Sequence, residues 1–151
     1  MFFNQNSLSG VIPTSLLLLS QLVALDLSNN RLSGTLFASQ SDLSIHFPKL
    51  SILKVGDNQL SKAPLPSNLK NFVTLRTLDL SGNQFTGSIP YTFIENYQQL
   101  QILSLTDNVL TGPVPFSFCD FLGLPYQLQI LDLQVNLNVM HRNNFTCIPS
   151  W

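Results

Sequence analysis

The chain of 151 residues carries seven basic and eight acidic side chains, a net charge of −1, and 44% of its residues are hydrophobic. That length favours one domain with enough apolar content for a continuous core, and with no run of like charge the chain lacks the clustered basic face that nucleic acid requires. Only 10% of residues are charged, which points to a secreted or cell-surface setting rather than to the cytosol.

Taken in chain order, the opening MFFNQNSLSG holds no Lys or Arg, so the basic segment of a signal peptide is missing there. Residues 11–27, VIPTSLLLLSQLVALDL, form the longest apolar stretch, but Pro13, Gln21 and Asp26 interrupt it. Its unbroken run, Leu16 to Leu19, is far short of the roughly 20 residues that a bilayer needs. No membrane span is expected in this chain, although a longer protein containing it could carry one.

The stretch LDLSNNRLSG at 25–34 returns as LDLSGNQFTG at 78–87. Aligned on its asparagine, the phrase marks Asn6, Asn30, Asn58, Asn83, Asn108 and Asn136, a period of about 25 residues. The spacing L-x-x-L-x-L-x-x-N is complete five times: Leu22, Leu25, Leu27, Asn30; Leu50, Leu53, Val55, Asn58; Leu75, Leu78, Leu80, Asn83; Leu100, Leu103, Leu105, Asn108; and Leu128, Leu131, Leu133, Asn136. A partial first copy ends in Phe3 and Asn6.

Each L-x-L predicts a strand of three or four residues with alternate side chains turned inward. One such strand cannot bury its leucines alone, so the repeats must stack into a parallel sheet. Where the chain turns after the strand, backbone groups enter the interior and need partners. An asparagine amide offers two donors and an acceptor, so a column of them can satisfy those groups from turn to turn. Beyond each asparagine come phrases such as LSGVIP at 8–13, FTGSIP at 85–90 and LTGPVP at 110–115. Gly10, Gly34, Gly87 and Gly112 permit turns there, and Pro13, Pro90 and Pro115 block regular helix. Short extended pieces and brief helical turns are expected on that side, without long helices.

Two intervals are lengthened: residues 35–47, TLFASQSDLSIHF, lose the I-P phrase and predict a bulging loop, and DFLGLPYQ at 120–127 lengthens a later turn. The last 15 residues, 137–151, break the pattern, as only seven residues separate Asn136 from Asn143. They are a degenerate repeat or the start of a cap, leaving 1–136 as about six repeats.

The phrases LSGVIPTSLLLLSQLVALDLSNNRLSG and LDLSGNQFTGSIPYTF resemble the plant-type leucine-rich repeat, close to LxxLxxLDLSxNxLSGxIPxxL. The resemblance implies an α/β fold: a curved right-handed solenoid with short parallel strands on its concave face and little regular helix. It also implies the ectodomain of a receptor-like protein or receptor-like kinase, or a secreted inhibitor of cell-wall-degrading enzymes; the repeat is a scaffold and does not choose among them. The polar caps that terminal repeats of solenoids need are not visible at either end, and the chain reads as a piece of a longer or truncated product.

In such a repeat the concave face carries the side chains between the leucines. Its central row is Phe2, Asp26, Lys54, Asp79, Ser104 and Asp132, and the next row is Asn4, Ser28, Gly56, Ser81, Thr106 and Gln134. The ligand-binding candidates are Asp26, Ser28, Lys54, Asp79, Ser81, Ser104, Thr106, Asp132 and Gln134, although Asp26, Asp79 and Asp132 are also the consensus letter of the family. Lys54 is expected between Asp26 and Asp79, where opposite charges on neighbouring strands favour each other by roughly 0.2–1 kcal/mol. Asp26 and Asp79, two strands or about 9–10 Å apart, are too distant to share a calcium ion whose oxygens lie at roughly 2.3–2.6 Å.

No catalytic residue, metal site or cofactor is expected. His46 lies in the irregular 35–47 segment and His141 in the degenerate end, neither near a nucleophile at an interpretable spacing, and the glycines belong to repeat turns rather than to a phosphate loop. Cys119 follows PVPFSF, a position the family often fills with a small or apolar residue, which favours a buried thiol over a bridge to Cys147. Cys147 lies elsewhere around the solenoid, and a partner beyond this chain suits it better. Asn144 opens NFT, the one glycosylation sequon present. The expected function is a non-catalytic extracellular recognition module for a protein, peptide or glycan, with the inhibitor and a ligandless structural fragment as the competing readings.

Overall fold

The computed structural model describes residues 1–37, 48–60, 63–66, 69, 72–90, 99–115 and 128–133. Among the described residues ten short strands follow one another: β1 (Ser9–Val11), β2 (Ala24–Asp26), β3 (Arg31–Gly34), β4 (Ile52–Lys54), β5 (Gln59–Leu60), β6 (Thr77–Asp79), β7 (Thr86–Gly87), β8 (Ile102–Ser104), β9 (Val109–Leu110) and β10 (Ile130–Asp132). The even-numbered strands are the L-x-L segments. They form one parallel sheet in the order β10-β8-β6-β4-β2, in register Leu25, Leu53, Leu78, Leu103, Leu131. This is a parallel β-solenoid of the leucine-rich repeat kind.

The central leucine of each strand points into the interior. Leu25, Leu53, Leu78 and Leu103 expose nothing to solvent, and each such burial contributes about 1.5–3 kcal/mol. Behind them lie Leu27, Val55, Leu80 and Leu105, then Leu32, Leu60, Phe85 and Leu110, in one continuous core. Phe37 and Phe72 close its far side edge to face, with ring centroids 5.9 Å apart and planes at 89°, the geometry that aromatic quadrupoles prefer.

The chain reverses out of each strand through a residue in left-handed conformation just ahead of the asparagine. Gln5, Asn29, Asp57, Gly82 and Asp107 have φ between 50° and 56°, a conformation that Gly and Asn or Asp tolerate best. At Gly82 a β-carbon would also collide with the side chain of Asp57 in the turn before.

The asparagine column then closes the turns. Asn83 Oδ1 accepts from Leu60 N–H at 3.0 Å, while its Nδ2 donates to the carbonyls of Val55, Leu80 and Ser81. Asn108 repeats this with Phe85 N–H and the carbonyls of Leu80, Leu105 and Thr106. Each side chain thus serves its own turn and the one before it. Asn83 and Asn108 are the buried polar side chains among the described residues, and both are fully engaged.

One addition to the sequence-based expectation lies beyond the asparagines. The short extended pieces expected there pair into a second set of parallel strands, β1-β3-β5 and β7-β9, a pairing that the repeat spacing does not specify. The ladder bonds pin the second residue after each asparagine at the same height in every turn, which sets these backbones in register. Gly10, Gly34, Gly87 and Gly112 in these pieces take positive φ. A 3-10 helix at Thr14–Leu18 follows Pro13, and among the described residues no helix is long and apolar enough to cross a membrane.

Candidate functional site: the outer face of the main sheet

With the central leucines turned inward, the flanking residues of each strand face outward and are half-buried. Strand pairing places Asp26 beside Lys54, Lys54 beside Asp79, Asp79 beside Ser104 and Ser104 beside Asp132. Phe2 continues the row through a single bridge to Asp26. The central row of candidates is therefore contiguous, one residue per strand, at the roughly 4.8 Å strand spacing.

The aspartates do not turn toward Lys54. Asp79 Oδ1 accepts hydrogen bonds from Ser81 N–H at 3.1 Å and from Ser81 Oγ at 2.6 Å. Asp26 Oδ1 does the same for Ser28 N–H at 3.0 Å and for the Ser28 hydroxyl. The charge pattern predicts a row that satisfies itself partly through Lys54, yet among the described residues Lys54 forms no ion pair. The reason is local: a carboxylate in D-L-S reaches the amide and hydroxyl two residues on without freezing a long lysine side chain, which would cost rotamer entropy. These bonds fix Asp26 and Asp79 in one orientation and tie up one oxygen of each.

Gly56 makes room for this arrangement. A β-carbon there would lie 2.8 Å from Ser81 Oγ and 3.1 and 3.2 Å from the two Asp79 carboxylate oxygens. Gly56 is itself buried, covered by the Asp79–Ser81 pair of the next turn.

A further row on this face is missed by reading only the residue after the central leucine. Ala24, Ile52, Thr77, Ile102 and Ile130 precede that leucine and align in register. The two-residue period of a strand puts them on the same side as Asp26 and its equivalents, so the signal is present in the sequence. The outer face is therefore a mostly aliphatic row beside a charged row, with Ser28, Gly56, Ser81 and Thr106 beyond. Gln134, Asn136, Asn144, Cys119, Cys147, His46 and His141 lie outside the described residues.

Comparison with known proteins matches this geometry to a family. The Leucine Rich Repeat family model matches residues 21–43, 74–95 and 99–121. Receptor-like protein 39 of Arabidopsis thaliana is 38% identical over 72 residues, which are 48% of this chain and 8% of that protein. Among solved structures, the leucine-rich repeat ectodomain of the receptor kinase SOBIR1 from Arabidopsis thaliana is 29% identical with a TM-score of 0.76, covering 92% of this chain and 70% of that one. The plant peptide hormone receptor RGFR1, solved in complex with RGF2, is 29% identical with a TM-score of 0.75, covering 89% of this chain and 20% of that one. The chain spans between 8% and 13% of the length of the first curated relatives that it matches. Repeat spacing, sheet register, family model and structural likeness agree: the chain is built of leucine-rich repeats similar to those of plant receptor-like proteins.

Proposed function

We propose that the chain is a non-catalytic recognition module on the extracellular side of a receptor-like protein, and that it takes a peptide on the outer face of its main sheet. The observation that carries this reading is the composition of that face. Isoleucines and oriented carboxylates stand side by side on a half-exposed surface, and such a mixture fits the alternating side chains of an extended peptide. The likeness to RGFR1, a peptide hormone receptor, supports a peptide over a glycan. A cell-surface location accords with the low charge and with the ectodomain relatives, and a glycan attached at Asn144 would suit it. The Asn column and the leucines serve as scaffold in this reading, and the concave residues Asp26, Ser28, Lys54, Asp79, Ser81, Ser104, Thr106, Asp132 and Gln134 as the surface that meets the ligand.

The test is peptide selection on the chain, followed by titration against a variant carrying Lys54→Ala, Ser104→Ala and Thr106→Ala. Weaker binding to the variant is the expected result. Binding that survives all three substitutions unchanged would remove the outer face of the sheet from consideration.

A further inference from the structure

The charged row of the main sheet contains the same arrangement twice, once with a cation at its centre and once without. In the first half Lys54 stands between Asp26 and Asp79; in the second half the equivalent place, between Asp79 and Asp132, holds Ser104. Over these five positions three carboxylates face one ammonium, a surplus of two negative charges (3 − 1 = 2). Resting on the peptide-binding reading above, we propose that β6, β8 and β10 take an extended peptide presenting a basic and an aliphatic side chain two residues apart, with the basic group over Ser104 and the aliphatic one on Ile102 and Ile130.

Three features support this occupant. The first is charge: a lysine or arginine head over Ser104 lies about 4.8 Å from the strands of Asp79 and Asp132 on either side. On the opposite flank of Asp79 the chain's own Lys54 already occupies the corresponding gap. The second is orientation: Asp79 Oδ1 is held by Ser81, and among the described residues Asp79 Oδ2 accepts no hydrogen bond. That oxygen keeps its capacity to accept a charge-assisted bond from a ligand. The third is spacing. Ile102 precedes Ser104 by two residues of β8, about 6.6 Å along the strand, and an extended peptide sets its side chains i and i+2 the same distance apart. Ile130, paired with Ile102 on the next strand, is 52% exposed, so the apolar half of the strip faces water.

Displayed random dodecapeptides selected on the full 151-residue chain test the proposal, with the enriched sequences resynthesised and titrated. The expected peptides carry Lys or Arg two positions from Leu, Ile or Val. Ser104→Lys fills the gap from within and should weaken them about tenfold; the fold tolerates it because Lys54 stands at the same place in another turn. Ile102→Thr, which copies Thr77 of the same row, should weaken them about fivefold. Circular dichroism matching the parent chain verifies that both variants fold. Enriched peptides without the pair, or ones that bind Ser104→Lys as tightly as the parent, overturn the proposal and leave the broader peptide-binding reading standing. Enrichment of no peptide at all overturns both.

Discussion

The fourth turn of the solenoid and its first use the same residues to different effect. In the fourth turn Asn83 is buried and joins four backbone groups from two turns. In the first turn the Asn6 side chain is exposed and, among the described residues, bonds only the nearby carbonyls of Phe3 and Asn4. Asn30, between them, is half-buried and reaches back to Leu8 N–H and the Phe3 carbonyl. The contrast shows that an asparagine or leucine has little worth of its own in this fold. Its contribution is set by the turns stacked on either side, as nearest-neighbour stability of repeat proteins requires.

The largest effect expected from breaking this contrast is at the core of the middle turns. Leu78→Ala removes a fully buried side chain between Leu53 and Leu103, in a layer where the backbone cannot collapse without breaking two strand pairings. It should cost about 2–5 kcal/mol in urea denaturation. Loss below about 1 kcal/mol would mean that the stack relaxes far more freely than its continuous core implies.

Asn83→Ala should come next, at about 2–3 kcal/mol. The carbonyls of Val55 and Leu80 keep bonds from Asn58 and Asn108 respectively, so they are not the main loss. The Leu60 N–H is: its partner is Asn83 Oδ1, Leu60 is fully buried, and water cannot replace the bond. Amide hydrogen exchange at Leu60 should accelerate in step with the loss of stability.

The central row, the strand register and the leucine core are legible in the sequence because each follows from one short period repeated five times. The aliphatic row of Ile52, Ile102 and Ile130 is equally available through the strand's two-residue alternation, but the polar letters beside it draw the eye first. The turning of Asp26 and Asp79 toward Ser28 and Ser81 is harder to read. It depends on a competition between a two-residue local hydrogen bond and a cross-strand charge pair, and spacing alone does not decide that. Nor does spacing reveal why Gly56 is glycine, since the reason lies in the side chains of the following turn. The second set of strands is out of reach for the same reason: its register comes from bonds made by asparagines one turn away.

A smaller effect is expected at Asn30. Its Oδ1 accepts from Leu8 N–H, the role that Asn83 plays for Leu60, but Leu8 is 42% exposed. Water can take over that donor when the amide is removed. Asn30→Ala should therefore cost about 1 kcal/mol, with faster exchange at Leu8 and none at Leu60. Equal losses at Asn30 and Asn83 would contradict the dependence on stacking.

At Asn6 the effect should nearly vanish. Its Nδ2 bonds lie on an exposed surface, the Phe3 carbonyl keeps a second donor in Asn30 Nδ2, and the Asn4 carbonyl can turn to water. Among the described residues its Oδ1 accepts nothing, so no backbone donor is stranded by its removal. Asn6→Ala should change stability by less than about 0.5 kcal/mol, the range of substitutions that leave no buried group unpaired. The series Asn83, Asn30, Asn6 then measures burial by neighbouring turns with the side chain held constant. A cost above about 1 kcal/mol at Asn6 would show that something beyond the neighbouring turn covers the first one.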